Sequence, residues 1–316
     1  MAELKKIFMV IPCFNEEEVL PETSKRLLEK YEFLIENKKI SEDSKIVFVD
    51  DGSRDKTWQI ISDLHEKNDI FSGVKLSRNH GHQGALLAGL MTVKDKCDAA
   101  ISMDADLQDD INVMDDFLDK FNDGCDIVYG VRSNRDTDTK FKKFTAQSFY
   151  KVMKFLGVET VYNHADYRLM SKRALDALAQ YDEVNLYLRG IVPDLGFKSD
   201  CVYYERGERY AGETKYPLKK MIGLATQGIT SFSVKPLTMV SGLGLIISAL
   251  SALALLISLI AGICGAYVTI AVILSTIWLA CGIITTSLGI VGEYVGKIYS
   301  EAKRRPKFIP ETFLKK

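Results

Sequence analysis

Through the first part of the chain, short apolar runs rich in β-branched residues alternate with longer stretches whose apolar positions recur at helical spacing. The runs Lys6 to Ile11, Ser44 to Val49, Gly73 to Leu76, Ala99 to Met103 and Asp126 to Tyr129 read as strands. Between them Glu17 to Glu36, Thr57 to Glu66, Gln83 to Val93 and Val113 to Phe121 read as helices, and this alternation predicts a layered α/β sheet. Asn15 followed by Glu18 has the spacing of a capping box, and Asp55 is positioned as an N-cap for the second helix. Both helices then start just past a strand's carboxyl end, where open α/β sheets bind ligands. Gly81 and Gly84, before the third helix, permit close backbone approach to a ligand or simply a tight turn.

The pattern changes in the second half. Lys140 to Leu156 is amphipathic, as is Pro217 to Phe232, whose apolar face suits either a membrane interface or a packed soluble helix. From Pro236 to Gly292 there is no Asp, Glu, Lys or Arg over 57 residues, which predicts two transmembrane helices, Leu237 to Gly262 and Tyr267 to Val291, with a turn between them. Lys219, Lys220 and Lys235 on one side, and Lys297, Lys303, Arg304, Arg305 and Lys307 on the other, place both flanks in the cytoplasm by the positive-inside rule. The expected organisation is an α/β domain over 1–216, an amphipathic helix over 217–235, a hairpin of two spans over 236–292 and a basic cytoplasmic tail over 293–316. The start, MAELKKIFMVIP, lacks the apolar core and cleavage site of a signal peptide, so the catalytic-looking part is expected on the cytoplasmic side of the cell membrane.

Composition narrows the classes further. The 41 Lys and Arg balance 42 Asp and Glu, and without a cationic stripe to neutralise phosphates a nucleic-acid partner is disfavoured. Six cysteines show no CxxC pairing and read as reduced, mostly buried thiols. Two spans per chain also allow association into a homo-oligomer through the hairpins.

Candidate chemistry collects at the strand ends. Met103-Asp104-Ala105-Asp106-Leu107-Gln108-Asp109 takes an apolar strand straight into paired carboxylates, hard oxygen ligands of the kind that suit Mg²⁺ or Mn²⁺ alongside substrate phosphates. A DxD alone also suits a solvated turn, and Asp50-Asp51-Gly52-Ser53, at a second strand end, could equally be only a turn. A third strand ends in Ile11-Pro12-Cys13-Phe14-Asn15-Glu16-Glu17 and a fourth in Tyr129-Gly130-Val131-Arg132. Acids converging with an arginine describe a cation-bridged diphosphate site.

With Ser77-Arg78-Asn79, Gly81-His82-Gln83, Tyr167-Arg168-Leu169-Met170 and Gly212-Glu213-Thr214-Lys215-Tyr216 following in order, the chain resembles the polyprenyl-phosphate glycosyltransferases of glycosyltransferase family 2, the group of bactoprenol glucosyltransferase and dolichyl-phosphate mannose synthase. The resemblance runs from Ile11 to the basic tail. It implies a Rossmann-like GT-A nucleotide-sugar domain followed by a two-helix hairpin, working on a nucleotide sugar and a polyprenyl phosphate at the bilayer. It further implies that Pro12, Phe14, Glu16 and Asp51 meet the nucleoside, that Asp104, Asp106 and Gln108 hold the metal and diphosphate, with Asp106 the most direct ligand, that Arg132 and Lys143 meet the acceptor phosphate, and that Arg209 and Lys215 close over the donor phosphates. Asp110 stands where the family often has Pro, and His80 where an aromatic residue is common.

The implied reaction is metal-dependent inverting transfer of a hexose, with glucose from UDP-glucose the first choice and GDP-mannose or UDP-N-acetylglucosamine the alternatives, to give a lipid-linked monosaccharide for cell-envelope glycan. The other readings are a processive polysaccharide synthase, which would carry a QxxRW motif absent here, and a non-catalytic membrane scaffold. His80 and His82 could touch donor phosphate or only pack their loop. His65 is expected on the surface of its helix and His164 in a loop.

Overall fold

A computed structural model describes residues 4–133, 164–181, 188–205, 207, 269–302 and 306–314. Eight strands form one sheet: β1 (Ile7–Cys13), β2 (Lys45–Asp50), β3 (Phe71–Leu76), β4 (Ala99–Ser102), β5 (Ile127–Arg132), β6 (His164–Ser171), β7 (Ser199–Tyr204) and β8 (Pro310–Leu314). Their order is β7-β5-β6-β4-β1-β2-β3-β8, with β6 and β8 antiparallel to their neighbours. Every residue of β1 is buried, as a central strand covered on both faces requires. Alternation along β1 and β2 sends Ile7, Met9, Ile11, Ile46 and Phe48 into one layer and Phe8, Val10, Val47 and Val49 into the other.

The first layer is covered by α1 (Leu20–Glu36), α2 (Thr57–Lys67) and α4 (Met114–Asn122), the second by α3 (His82–Val93), α5 (Lys172–Leu178) and α6 (Leu188–Asp194). On α1 the fully buried Leu27, Tyr31 and Leu34 follow the helical repeat, each contributing about 2 kcal/mol by area removed from water. Helix α3 is buried on nearly all sides and packs flat on β1 and β2 at Gly89, where an added Cβ would lie 2.4 Å from Val10 Cγ1 and 2.6 Å from Val49 Cγ2.

Two expected caps are corrected. The residue preceding α1 is Val19, with no side-chain cap, and a proline opens the first turn instead. Asn15 takes φ 53° and uses its Oδ1 to accept from the Arg54 amide at 2.9 Å, so it joins the β1–α1 loop to the β2–α2 loop. Asp55 likewise stands one residue before the N-cap of α2, Lys56, and accepts from the amides of Thr57 and Glu17. His65 is buried rather than at the surface, with Nδ1 2.7 Å from the Phe71 carbonyl oxygen, because α2 turns that side toward β3.

Strands β6, β7 and β8 and helices α5 and α6 are additions to the sequence expectation. The amphipathic stretches Lys140 to Leu156 and Pro217 to Phe232 lie outside the described residues, as does the expected first span, Leu237 to Gly262. Cys13, Cys97, Cys125 and Cys201 are free thiols, the first three buried.

The two-span hairpin is corrected. Among the described residues no helix is long and apolar enough to cross a membrane. In the region of the expected second span runs α7 (Thr269–Ala302), which starts inside the charge-free run and continues past its end through Glu293, Lys297 and Glu301, so helix and uncharged sequence are not the same unit. The expected fold class loses its membrane half, and the placement in the cell membrane that rested on the hairpin falls with it. What stands is the α/β sheet with helices on both faces.

Candidate active site

The chain leaves β1 in one direction to build β2 and β3, and then returns to place β4 on β1's other side. This reversal makes the carboxyl ends of β1 and β4 the topological switch point, where open α/β sheets form a crevice. Pro12 helps open it. The Val10 carbonyl accepts from Met103 on the β4 side and the Cys13 carbonyl accepts from Asp51 on the β2 side, so alternation turns Pro12 toward β4 with no N–H to offer. Pairing of β1 with β4 ends at Val10 and Ser102, and the chain beyond β4 is free to carry Asp104 and Asp106 into the gap.

Around the crevice the loops are stitched together. The amide of Asn15 donates to Ser53 Oγ at 2.9 Å and that of Glu16 to Thr57 Oγ1 at 2.8 Å, while Phe14 stays exposed at the rim. The buried Asp51 carboxylate accepts from the amides of His80 and Gly81 at 2.6 and 2.9 Å, fixing the loop before α3. Burial pushes the Asp51 pKa up, against the pull of those two amides. Gly52, at φ 69°, brings that loop close: a Cβ there would lie 2.9 Å from both the Arg78 carbonyl carbon and the Asn79 nitrogen.

The acids after β4 divide into three environments. Asp104 is half-buried, and its Oδ1 is sealed 3.3 Å from His82 Nε2 without hydrogen-bond geometry. Burial, joined by the charges of Asp109, Asp166 and Asp106, pushes its pKa up to about 6 against the attraction of His82. Asp106 is half-buried and accepts from the Gln108 amide at 3.2 Å across Leu107, which takes φ 56°. Asp109 is buried, and its Oδ1 accepts from Arg132 Nη2 at 3.0 Å and from the Tyr204 hydroxyl. Its Oδ2 is buried without a partner. Burial opposes the charge on Arg132, yet Asp109 and Tyr204 raise its pKa.

A second cluster forms because β6 runs antiparallel between β4 and β5, so its opening residues reach the same edge as the ends of its neighbours. Asp166 is buried there with Arg168 Nη2 at 2.6 Å, Arg189 Nη2 at 3.2 Å and His82 Nε2 at 3.4 Å. Burial works against ionising Asp166, but Arg189, the His82 hydrogen bond and Arg168 hold its pKa well below the carboxylate range. His82 gains in return: burial works against its charge, yet Asp104 and Asp166 raise it to about 9. On the α1 side, a groove of about 840 Å³ among the described residues is lined by Arg26, Lys30, Phe33, Gln108 and Asp109.

The structure thus gathers Pro12, Phe14, Glu16, Asp51, Asp104, Asp106, Gln108 and Arg132 at one edge. Lys143, Arg209 and Lys215 lie outside the described residues. Sequence reasoning missed Asp166, Arg189 and Tyr204 as members of this edge. Charged residues alternating with apolar ones in Asp166-Tyr167-Arg168-Leu169-Met170 were the only local signal for the first. Among the described residues no three His, Cys, Asp or Glu side chains form a metal cage. A hard ion that takes one or two carboxylates and the rest of its ligands from water and phosphate needs no such cage, and Asp104 with Asp106 fit that donor set.

Acids and arginines meet at the switch point of a doubly wound α/β sheet, at the carboxyl edge where proteins of this class bind their ligands. The family model for Glycosyl transferase family 2 matches residues 8–179, from the second residue of β1 to just past α5. The chain is 54% identical over 301 residues to the Uncharacterized glycosyltransferase YkoT of Bacillus subtilis (strain 168), covering 95% of this chain and 89% of that one. It is 38% identical to the Prophage bactoprenol glucosyl transferase homolog of Escherichia coli (strain K12), covering 96% and 98%, and 36% identical to the Bactoprenol glucosyl transferase of Shigella phage SfV, covering 96% and 97%. The chain belongs to glycosyl transferase family 2 and is a glycosyltransferase.

Proposed function

We propose that this enzyme transfers a hexose from a nucleotide sugar to a polyprenyl phosphate, with UDP-glucose as donor and inversion at the anomeric carbon. The observation that carries the reading is similarity to bactoprenol glucosyl transferases along 96% of the chain, combined with paired carboxylates at the switch-point crevice. The product is a lipid-linked monosaccharide of use in modifying cell-envelope glycan.

In this reading Pro12, Phe14, Glu16 and Asp51 form the nucleoside end of the crevice, with Asp51 ordering the loop at His80 and Gly81. Asp104, Asp106 and Gln108 would hold Mg²⁺ or Mn²⁺, which supplies charge neutralisation for a diphosphate leaving group. The acceptor phosphate is anionic at neutral pH, so no side chain has to take a proton from it. What it needs is positioning by a cation. Arg132 is held by Asp109 and Tyr204, and these contacts use only part of the five N–H donors of a guanidinium. Lys143 is the second acceptor-phosphate candidate, and Arg209 and Lys215 complete the donor-phosphate contacts.

The test uses the purified full chain with detergent-dispersed polyprenyl phosphate, Mn²⁺ and labelled UDP-glucose, GDP-mannose or UDP-N-acetylglucosamine. A labelled lipid monosaccharide of inverted configuration, made fastest from UDP-glucose, is expected. A fastest product from another donor would move the donor assignment, and polymer or no lipid product would overturn the acceptor assignment.

A further inference from the structure

The Asp166 cluster is more elaborate than the diphosphate site requires. Its members form two layers. Asp166 and Arg168 are sealed, with side chains 7% and 2% exposed, while His82, Arg189 and Asp104 stand above them at 31%, 37% and 32%. Arg189 Nε and Nη2 lie 3.3 and 3.2 Å from the two Asp166 oxygens, a bidentate fork that fixes the plane of the guanidinium. Asp166 Oδ2 also holds His82 Nε2, which thereby lies 3.3 Å from Asp104 Oδ1. The start of α6 is docked onto the same place, since the Leu188 amide donates to Gln83 Oε1 and Arg168 Nη1 donates to the Leu188 carbonyl.

Buried ion networks add little net stability over apolar packing of the same volume, so stability is a weak reason for three cationic groups on one carboxylate. Orientation is a better one. The outer layer sets the fixed guanidinium of Arg189 and the imidazole of His82, whose Nε2 is turned to Asp166, beside the carboxylate of Asp104, and donors placed next to acceptors are what vicinal hydroxyls need. The layer includes Asp104, two residues before Asp106 on the loop proposed above to hold the diphosphate end of the donor, so the group attached to that diphosphate reaches the layer next.

We propose that His82 and Arg189, with Asp104, form the subsite that reads the hydroxyls of the transferred sugar, and that Asp166 and Arg168 are positioning residues that hold its geometry. The inference rests on the nucleotide-sugar reading above. A site built to hydrogen-bond a hydroxyl rejects an analogue that misplaces it, because its own groups are left unpaired, so this layer discriminates between epimers.

The test compares binding of UDP with UDP-glucose, and of GDP with GDP-mannose, to the full chain and to Arg189→Gln, Arg189→Lys and Asp166→Asn. It is joined by relative transfer rates from UDP-glucose and UDP-galactose. For the pair that the wild type binds, Arg189→Gln should leave nucleoside diphosphate affinity within about twofold, weaken the nucleotide sugar about tenfold or more and narrow the epimer preference. Arg189→Lys should recover part of the loss. Asp166→Asn should show the same split, and if it does not fold, the half-exposed Arg189 variants carry the test alone. Equal weakening of nucleotide and nucleotide sugar, or unchanged binding with unchanged preference, would overturn the proposal, as would a wild type that binds neither nucleotide sugar. Binding is read without acceptor, so a failure to make lipid-linked product would count against the acceptor assignment and leave the subsite result standing.

Discussion

At the scale of single residues, Asp104, Asp106 and Asp109 after β4 look alike in sequence and differ in what surrounds them. Asp106 is half-buried on the loop after β4 and accepts from the Gln108 amide, so Asp106→Ala should cost about 1 kcal/mol of stability while lowering transfer by more than about a hundredfold. A thermal melt and a labelled-product assay on the same preparation check both halves, and thorough EDTA treatment should mimic the loss reversibly. Asp109 is the opposite case: it is buried between Arg132 and Tyr204, and Asp109→Ala strands a guanidinium and a hydroxyl. Breaking a buried pair from one side costs about 3 kcal/mol, which denaturant unfolding would register as a clear drop in midpoint. For Arg132→Ala, the apparent KM for polyprenyl phosphate should rise while nucleotide-sugar affinity stays nearly constant. The reverse pattern would reassign Arg132 to the donor.

Among elements, the contact between α3 and the sheet sets the position of the site most directly. Helix α3 begins at His82, which touches Asp104 and Asp166, and it reaches β1 and β2 only because Gly89 has no side chain. Gly89→Ala would drive a methyl into Val10 and Val49, lifting the helix or straining the strands at a cost of about 1–3 kcal/mol. A lower midpoint with a matching loss of nucleotide-sugar affinity is expected, since the displaced end of the helix carries His82. Strand β8 acts on the other flank. It pairs antiparallel with β3, Lys96 Nζ sits 3.7 Å above the Phe313 ring, and the Ile309 carbonyl accepts from the Ser77 amide just ahead of the loop that Asp51 holds. The C-terminal strand thus covers an edge that would otherwise offer unpaired backbone groups.

For the whole molecule, acid stability depends on carboxylates that the fold holds ionised. Burial would raise the pKa of Asp126, but its hydrogen bonds from Arg173 and Ser171 outweigh that and hold it below the ordinary value of 3.8. A depressed carboxylate contributes stability that is present above its unfolded value and lost as pH falls through its folded one. Denaturant midpoints followed from pH 6 downward should therefore fall off below about pH 4, and Asp126→Asn should be less stable at neutral pH with a shallower acid limb.

The strands β1 to β5 and helices α1 to α4 were legible in the chain to within a few residues, because a sheet buried on both faces needs continuous apolar runs and its covering helices need apolar stripes, and both leave periodic traces. The paired acids were legible too, since they sit where those strands stop. Asp166, Arg189 and Tyr204 were not, because they come from β6, α6 and β7, and only the antiparallel insertion of β6 beside β4 and the pairing of β7 with β5 carry them to the same edge. The capping-box spacing at Asn15 was misleading for the same reason: its partner is Arg54, in a loop brought beside it by strand pairing. The charge-free run does not set the bounds of a helix, because an absence of charge does not say where one begins and ends, and α7 crosses the boundary of that run. Local spacing determined β1 to β5, α1 to α4 and the strand-end acids of this protein, and only the tertiary fold decided which charges would meet, since those contacts join residues whose separation along the chain carries no period.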